Sequence, residues 1–318
     1  MVIKKNWYQR RKKSVKKHAY LIMAHTQFQQ VAKLVRLIDN EENDIYLHID
    51  KKVKNAISIF RDTIEPTVNK SNIYFISQNS VQWGGYSQIK TEIDLLKAAI
   101  PQKYQYYHLL SGADLPLKSQ EYIHQFFSDN QGKEFVQLGT KEYIKNTQQR
   151  YKYYWIFQEN LGNGRKNALY KVLNKLRYAT VFLQSVLKID RRKRNEDVFE
   201  YYYSGAQWFS ITHDFAKYVV SKEKQIRRVF NKTTCCDEVF LQTILMNSRF
   251  KENLYHKESD GDYVAIMRKI DWNRGTPYTW LQKDYEELIN SEFLFARKFS
   301  ETVDSEIIDR IFNKLYNK

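Results

Sequence analysis

The chain has 318 residues, 42% apolar and 15% aromatic, with a formal net charge of +16. This apolar content excludes an intrinsically disordered chain. With only 10 glycines and 4 prolines there is little material for linkers, so we expect one large domain. The 2 cysteines, Cys235 and Cys236, are neighbours and exclude a disulfide framework, which predicts a reducing compartment.

The positive charge is concentrated in two segments. Residues 1–17 hold eight Lys or Arg and no acid, and residues 161–194 hold ten Lys or Arg and one acid, Asp190. Subtracting these from the totals of 52 basic and 36 acidic residues leaves 34 and 35, so the remainder is nearly neutral. We predict a basic amino-terminal arm over 1–17, a domain over 18–318, and a basic amphipathic insertion over 161–194. Such segments attract polyanions, either nucleic acid or an anionic lipid surface.

Apolar runs alternate with helical periodicities along the chain. They predict strands over 19–24, 45–50, 73–76, 106–110 and 209–211, and helices over 31–38, 87–100, 215–220 and 307–315. Alternating strands and helices indicate an α/β fold with a mostly parallel central sheet flanked by helices. Ligands bind beyond the carboxyl ends of such strands, where His25, Asp50 and Asp114 are expected. Each of these three residues taken alone is more typical of a turn.

Two adjacent carboxylates open the apolar-periodic segment that follows the cysteines. Asp237 is placed to cap a helix by accepting from its free N–H groups. Glu238, one residue further on, would then be held at a fixed angle, as a general base must be. The alternative is that both acids simply favour a helix N-terminus.

Five sequence blocks occur in an order that is similar to one enzyme family. They are YYHLLSGADLPLKS (106–119), YYYSGAQWFS (201–210), TTCCDEVFLQT (233–243), RKIDW (268–272) and FLFARKF (293–299). Together they resemble the core-2/I-branching β-1,6-N-acetylglucosaminyltransferases, a family that includes the peptide O-xylosyltransferases. The resemblance extends from about residue 18 to about residue 304.

The resemblance implies a GT-A glycosyltransferase fold in a single Rossmann-like domain. It implies an inverting enzyme that moves a sugar from a UDP-sugar to a hydroxyl of a glycan or glycoconjugate acceptor. By motif, Glu238 is the general base, and a basic pair, Lys298 and Arg268, binds the donor diphosphate in place of a metal. Arg274 is the alternative to Arg268.

His25, Asp50 and Asp114 are the predicted donor nucleotide and sugar ligands, because each follows a predicted strand. The resemblance implies acceptor contacts further along the chain, and the predicted acceptor ligands are Tyr143, Arg150 and Tyr153. N-acetylglucosamine is the expected sugar, with β-1,6 branching in polysaccharide synthesis as one use of the reaction. The alternatives are a xylosyl- or glucosyltransferase on the same scaffold, or a basic polyanion-binding protein without catalysis.

A metal is not expected. Asp260-Gly261-Asp262 spells the Asp-X-Asp metal motif of other GT-A transferases, but it lies in a polar stretch, and carboxylates flanking a glycine are common in turns. The 7 histidines show no paired ligand spacing on a helix. We therefore expect no cofactor besides the UDP-sugar co-substrate. The sequence shows no recognisable RNA- or DNA-binding motif, so no nucleic-acid partner is expected.

Location is predicted from hydropathy and charge. No apolar run approaches about 18 residues, and the amino terminus lacks a signal-peptide core, so we expect a cytoplasmic enzyme, bacterial in type, acting on a lipid-linked glycan. The mixture of apolar and basic residues over 161–194 is typical of an interfacial amphipathic helix, which would hold the enzyme at the inner face of an anionic membrane. A core helix with a solvated basic face has the same composition.

Overall fold

The computed structural model describes residues 3–4, 18–76, 78–161 and 168–316. The predicted arm over 1–17 lies outside the described residues except for Ile3–Lys4, and so do residues 162–167 of the predicted insertion. Ten strands lie within the described ranges. They are β1 (Ile3–Lys4), β2 (His18–Ala24), β3 (Asn43–Ile49), β4 (Asn72–Phe75), β5 (Tyr106–Ser111), β6 (Asp114–Pro116), β7 (Phe135–Val136), β8 (Phe209–Thr212), β9 (Arg268–Ile270) and β10 (Phe295–Arg297).

The same ranges contain thirteen α-helices. They are α1 (Phe28–Leu37), α2 (Ala56–Ile59), α3 (Tyr86–Ala99), α4 (Gln120–Asp129), α5 (Lys141–Thr147), α6 (Gln149–Lys152), α7 (Gln158–Leu161), α8 (Ala168–Val186), α9 (His213–Ser221), α10 (Glu223–Phe230), α11 (Phe240–Met246), α12 (Tyr285–Ile289) and α13 (Ser305–Tyr316). Short 3-10 or π turns cover Phe60–Ile64, Glu65–Thr67, Ile100–Gln102, Lys193–Asn195, Cys236–Glu238, Arg249–Asn253, Tyr263–Ile266 and Gln282–Asp284. None of the described helices has the length and apolar character needed to cross a membrane.

The strands form two sheets. The larger has the order β1-β4-β3-β2-β5-β8-β7, and its central strands β4, β3, β2 and β5 are all parallel. Ile22 of β2 is in register with Leu47 of β3 on one side and Leu110 of β5 on the other. The smaller sheet has the order β6-β10-β9. The prediction of an α/β fold with a mostly parallel central sheet is confirmed.

Apolar clusters cover both faces of the large sheet. Alternate residues of β2 divide between them, so that Tyr20 and Ile22 join one cluster while Ala19 and Leu21 join the other. All four of these side chains are fully buried. A strand buried on both faces needs apolar residues at successive positions, which explains why β2 is a continuous apolar run rather than an alternating one.

Candidate active site

A cavity of about 590 Å³ lies at one edge of the large sheet. Part of its wall comes from the segments that follow β4 and β7 and from the segment that precedes β8. Because β8 is antiparallel to both β5 and β7, these segments meet at the edge where the parallel strands end. The cavity is lined by Trp83, Gly84, Gln88, Gln137, Gly139, Thr140, Tyr143, Arg150, Gly205, Ala206, Gln207, Trp208, Cys235, Asp237, Glu238, Asp260, Gly261, Tyr263, Ile270 and Trp272.

The two oxygens of the Glu238 carboxylate have different surroundings. Its Oε2 accepts from the Tyr143 hydroxyl at 2.9 Å and from Arg150 Nη1 at 2.5 Å. Its Oε1 has no partner among the residues that the structure describes, and the side chain is 29% exposed in the cavity wall. The Gly205 N–H donates to the main-chain carbonyl of Glu238 at 2.9 Å. Glu238 is therefore a fixed carboxylate with one oxygen open to a ligand.

Tyr143 is held in its protonated form beside this carboxylate. Burial raises the pKa of the Tyr143 phenol, and the charge of Glu238 raises it further, so the phenol remains a hydrogen-bond donor. The predicted acceptor residues Tyr143 and Arg150 thus lie at the cavity together with the predicted base. Tyr153, the third of that set, does not reach the cavity, because it is buried against Trp155 and Val181.

Asp237 lies beside Glu238 but is buried. Its Oδ2 accepts from Gln88 Nε2 at 3.2 Å, and its Oδ1 has no partner among the described residues. Burial, and then the neighbouring charge of Glu238, raise the pKa of Asp237. The prediction that Asp237 caps the next helix is wrong, because a 3-10 turn over Cys236–Glu238 intervenes and α11 begins only at Phe240.

A partly buried guanidinium, that of Arg297, lies against Trp208 in another wall of the cavity. Arg297 in β10 pairs across the small sheet with Asp114 in β6, with 3.6 Å between Arg297 Nε and Asp114 Oδ1. The guanidinium stacks on Trp208 at 3.9 Å from the ring centroid, and Trp208 lines the cavity. Arg297 Nη1 is buried without a partner among the described residues. Burial lowers the pKa of Arg297, and Asp114 opposes that effect.

Arg297 was missed by sequence reasoning. Its only signal was its place beside the assigned Lys298. Lys298 follows directly and is half-buried, and its ammonium has no hydrogen bond or ion pair with the part of the chain that the structure describes. Lys298 does not itself line the cavity.

Arg268 lies in the interior, away from the cavity, which contradicts its predicted place beside the donor phosphates. It is 1% exposed, and its guanidinium donates to the main-chain carbonyls of Ile266 at 2.6 Å, Phe209 at 2.7 Å and Leu109 at 3.3 Å. A guanidinium held this way does not reach a ligand in the cavity.

The alternative, Arg274, is also engaged elsewhere. It forms ion pairs with Asp271, with Asp284 at 2.8 Å and with Glu287 at 3.2 Å. Arg274 therefore does not replace Arg268 at the cavity, and it is not among the lining residues.

The three predicted donor ligands lie near the ends of the parallel strands, as expected, but none lines the cavity. His25 is exposed just after β2. Asp50 is buried just after β3. It accepts from the N–H of Lys52 at 2.8 Å, as a turn residue does, and from the N–H of Val81 at 3.3 Å. Asp114 is committed to Arg297 and to the Ser111 N–H at 2.7 Å.

Asp260 of the Asp260-Gly261-Asp262 sequence lines the cavity. Its Oδ2 accepts from His256 Nε2 at 2.8 Å and its Oδ1 from the Asp262 N–H at 2.9 Å. Asp262 accepts from the Val264 N–H and so begins a 3-10 turn. Among the described residues, no group of three or more His, Cys, Asp or Glu side chains is placed to hold a metal.

Aromatic faces are available to a ligand on several sides of the cavity. Trp83 and Trp272 are 56% and 49% exposed, and both line it together with Trp208. Exposed indole rings with a polar edge are suited to packing against sugar rings. Trp208 belongs to the YYYSGAQWFS block and Trp272 ends the RKIDW block.

Comparison with known proteins gives consistent matches. Residues 18–294 match the family described as "Core-2/I-Branching enzyme". Xylosyltransferase 2 of Rattus norvegicus is 23% identical over 320 residues, covering 94% of this chain and 33% of that protein. Xylosyltransferase 2 of Homo sapiens is 23% identical over 322 residues with the same coverage. Xylosyltransferase oxt of Drosophila pseudoobscura pseudoobscura is 22% identical over 310 residues, 90% of this chain and 32% of that protein.

The chain thus spans about a third of the length of the curated relatives that it matches. Among solved structures, it is similar to the apo crystal structure of mouse xyloside xylosyltransferase 1. That match has 10% sequence identity and a TM-score of 0.36, and it covers 88% of this chain and 97% of the other.

Proposed function

The chain belongs to the core-2/I-branching enzyme family. We propose that it is a glycosyltransferase, which transfers a sugar from a UDP-sugar to a hydroxyl group of a glycan or glycoconjugate. The open Oε1 of Glu238 carries this proposal. An acceptor hydroxyl must lose a proton as it attacks the sugar, and a carboxylate within hydrogen-bond reach removes that proton. Tyr143 and Arg150 hold the other oxygen, so the open one keeps a fixed direction into the cavity.

The leaving diphosphate needs positive charge as the glycosidic bond breaks. We propose that Arg297 and Lys298 supply it, with Arg297 taking the part first expected of Arg268. The unpartnered Nη1 of Arg297 supports this, since a buried cation acts in a low-dielectric environment and is already in place before the reaction. We propose that these two cations take the place of a metal ion in the transfer. Direct attack assisted by a single base inverts the configuration of the sugar.

The relatives bear on the choice of donor sugar. The named relatives are xylosyltransferases, so UDP-xylose joins UDP-N-acetylglucosamine as a donor that we propose for this chain. Trp83, Trp208 and Trp272 offer faces for the donor and acceptor rings. A polysaccharide or glycoconjugate under construction is the proposed acceptor.

The proposal is tested by measuring UDP release from a panel of donors. The purified chain is incubated with UDP-xylose, UDP-N-acetylglucosamine and UDP-glucose, with GDP-mannose as the control, in the presence and absence of EDTA. We expect slow donor hydrolysis with one or more UDP-sugars that survives EDTA, and none with GDP-mannose. Failure to turn over any UDP-sugar contradicts the proposal. A strict Mn²⁺ requirement, together with an inactive Asp260→Asn variant, would indicate that a metal ion at Asp260-Gly261-Asp262 neutralises the diphosphate instead of the two cations.

A further inference from the structure

Helix α8 packs on the protein through a side that carries two polar residues and one apolar residue. The residues that it buries are Arg177, Val181 and Gln184. Arg177 donates to Gln158 Oε1 at 2.5 Å, and the Gln184 amide exchanges two hydrogen bonds with the main chain of Tyr154, at 2.7 and 2.9 Å. A helix that packs only to bury apolar surface would have the opposite orientation. The alternative of a core helix with a solvated basic face is therefore excluded.

The side of α8 that faces solvent is apolar. Of the sixteen large apolar side chains that are exposed in the described part of the chain, eight lie between residues 169 and 187, each 48–72% exposed. Six of them recur at helical spacing and form a stripe along the outward face, namely Leu169, Val172, Leu176, Leu183, Val186 and Leu187. A contiguous exposed apolar face of this kind marks an interaction surface.

The charges around the stripe are positive. Lys171 and Lys175 are exposed on the outward half of the helix, and Lys193 and Arg194 are exposed just beyond it. The only acid between 168 and 194 is Asp190, which is paired with Arg192 at 2.6 Å. A concave basic surface continues from Arg194 to Lys224, Arg227 and Lys232, and it includes Arg228, which is paired with Asp197 at 2.7 Å.

Three of the cations first counted for this segment are not available to a partner, and one of them is Arg192, which is paired with Asp190. Arg177 is buried under the helix, and Arg191 is 3% exposed with its guanidinium on the carbonyls of Val229 and Asn231. The cations that are exposed within residues 168–194 lie on α8 or in the segment that follows it, so apolar and basic surfaces are presented together. They are Lys171, Lys175, Lys188, Lys193 and Arg194.

We propose that α8 lies flat on an anionic phospholipid bilayer, with the stripe in the boundary between headgroups and acyl chains. A bilayer buries the apolar side chains, and its anionic headgroups neutralise the surrounding cations. A second copy of the chain fits less well, because it would bring the same cations to the same interface. The proposal does not depend on the proposed transferase activity.

The test is co-sedimentation of the full chain with vesicles of phosphatidylcholine, with and without phosphatidylglycerol. Three variants are compared with the wild type. The apolar variant carries Leu176→Ser, Leu183→Ser and Val186→Ser, and the charge variant carries Lys171→Gln, Lys175→Gln and Lys193→Gln. The control variant removes the same number of charges from other surfaces, through Lys70→Gln, Lys133→Gln and Lys251→Gln. All nine positions are outside the cavity, and thermal unfolding checks that each variant is folded.

We expect the wild type and the control to pellet with the anionic vesicles and to be released as salt is raised from about 0.05 M to about 0.5 M. The apolar and charge variants should each lose about 10- to 100-fold in partition coefficient. Equal pelleting of all four proteins, or no pelleting of the wild type, overturns the proposal. A different outcome would assign the stripe to a second copy of the chain: no protein pellets with vesicles, light scattering shows a concentration-dependent dimer, and only the apolar variant fails to form that dimer.

Discussion

At the scale of single residues, the direction of the Glu238 carboxylate depends on Tyr143 and Arg150. Replacing Arg150 by Gln removes a charged hydrogen bond, and replacing Tyr143 by Phe removes a neutral donor. Since a hydrogen bond to a charged group contributes about 1.5–3 kcal/mol, we expect Arg150→Gln to lower kcat about 10- to 100-fold and Tyr143→Phe to lower it less.

The measurement is the initial rate at saturating donor. Lys145→Gln is the matched control, since Lys145 is exposed on the same helix as Tyr143. Undiminished turnover by Arg150→Gln would show that the observed ion pair does not hold the base.

Lys298 is a second residue whose contribution to ligand binding can be measured by itself. If its ammonium meets the donor phosphates, Lys298→Ala should weaken UDP binding about 10- to 100-fold and leave uridine binding nearly unchanged, because only UDP carries the charge. Titration calorimetry with both ligands measures the difference, and Lys283→Ala, at an exposed position, is the control. Equal losses for UDP and uridine would argue against a phosphate contact.

Some of these residues were predictable and others were not, for a physical reason. Glu238 and Lys298 stand in recognisable blocks. The proposed role of Arg297 at the diphosphate depends on its position between Asp114, its cross-strand partner, and the ring of Trp208. Both residues are distant from Arg297 in sequence, so the sequence does not reveal this arrangement. Arg268 was misassigned because a motif identifies a residue type but does not show that main-chain carbonyls already occupy its guanidinium.

At the scale of elements, Arg268 links the small sheet to the large one. It begins β9 and donates to the carbonyls of Leu109 in β5 and Phe209 in β8. Arg268→Met keeps much of the bulk but leaves buried carbonyls without donors, at a cost of about 1–3 kcal/mol for each unsatisfied group. We expect a lower thermal midpoint, with UDP affinity unchanged in the folded protein.

Thermal unfolding and calorimetry at low temperature separate these two effects for Arg268→Met. An unchanged midpoint combined with lost UDP binding would restore Arg268 as a phosphate ligand. Lys269→Met, at the neighbouring and partly exposed position of β9, is the control for a lost charge.

The larger elements follow from the sequence more reliably than the small ones. Strands β2 to β5 and helices α1, α3, α9 and α13 were predicted because apolar runs and helical periodicity mark them directly. Strands β6, β9 and β10 have three residues each, too few to show a period. For α8 the helical periodicity does not tell which side of the helix packs on the protein.

At the scale of the whole molecule, buried titratable groups make stability depend on pH. Burial raises the pKa of Glu134 to about 7, while buried His48 and His108 have lowered pKa values. A carboxyl with a raised folded-state pKa contributes stability that is present below its ordinary pKa and is lost as pH rises through about 7. The histidines act in the opposite direction, because the unfolded chain takes up their protons at low pH.

The difference between wild type and Glu134→Gln isolates the carboxyl. Relative to wild type, the variant should gain stability as pH rises from about 4.5 to about 7.5, since Gln does not ionise. Urea unfolding at several pH values measures this change. Parallel pH profiles for the two proteins would mean that Glu134 ionises in the folded protein as it does in the unfolded chain.

The assignment of Glu238 as the base of a UDP-sugar transferase is tested most directly by Glu238→Gln. This change keeps the shape of the side chain and removes the proton acceptor. We expect turnover of the UDP-sugar that the donor panel selects to fall by about 10²- to 10⁴-fold, while the affinity for UDP measured by calorimetry changes little. Glu252→Gln, at an exposed position outside the cavity, should behave as wild type. Near-normal transfer by Glu238→Gln would contradict the account.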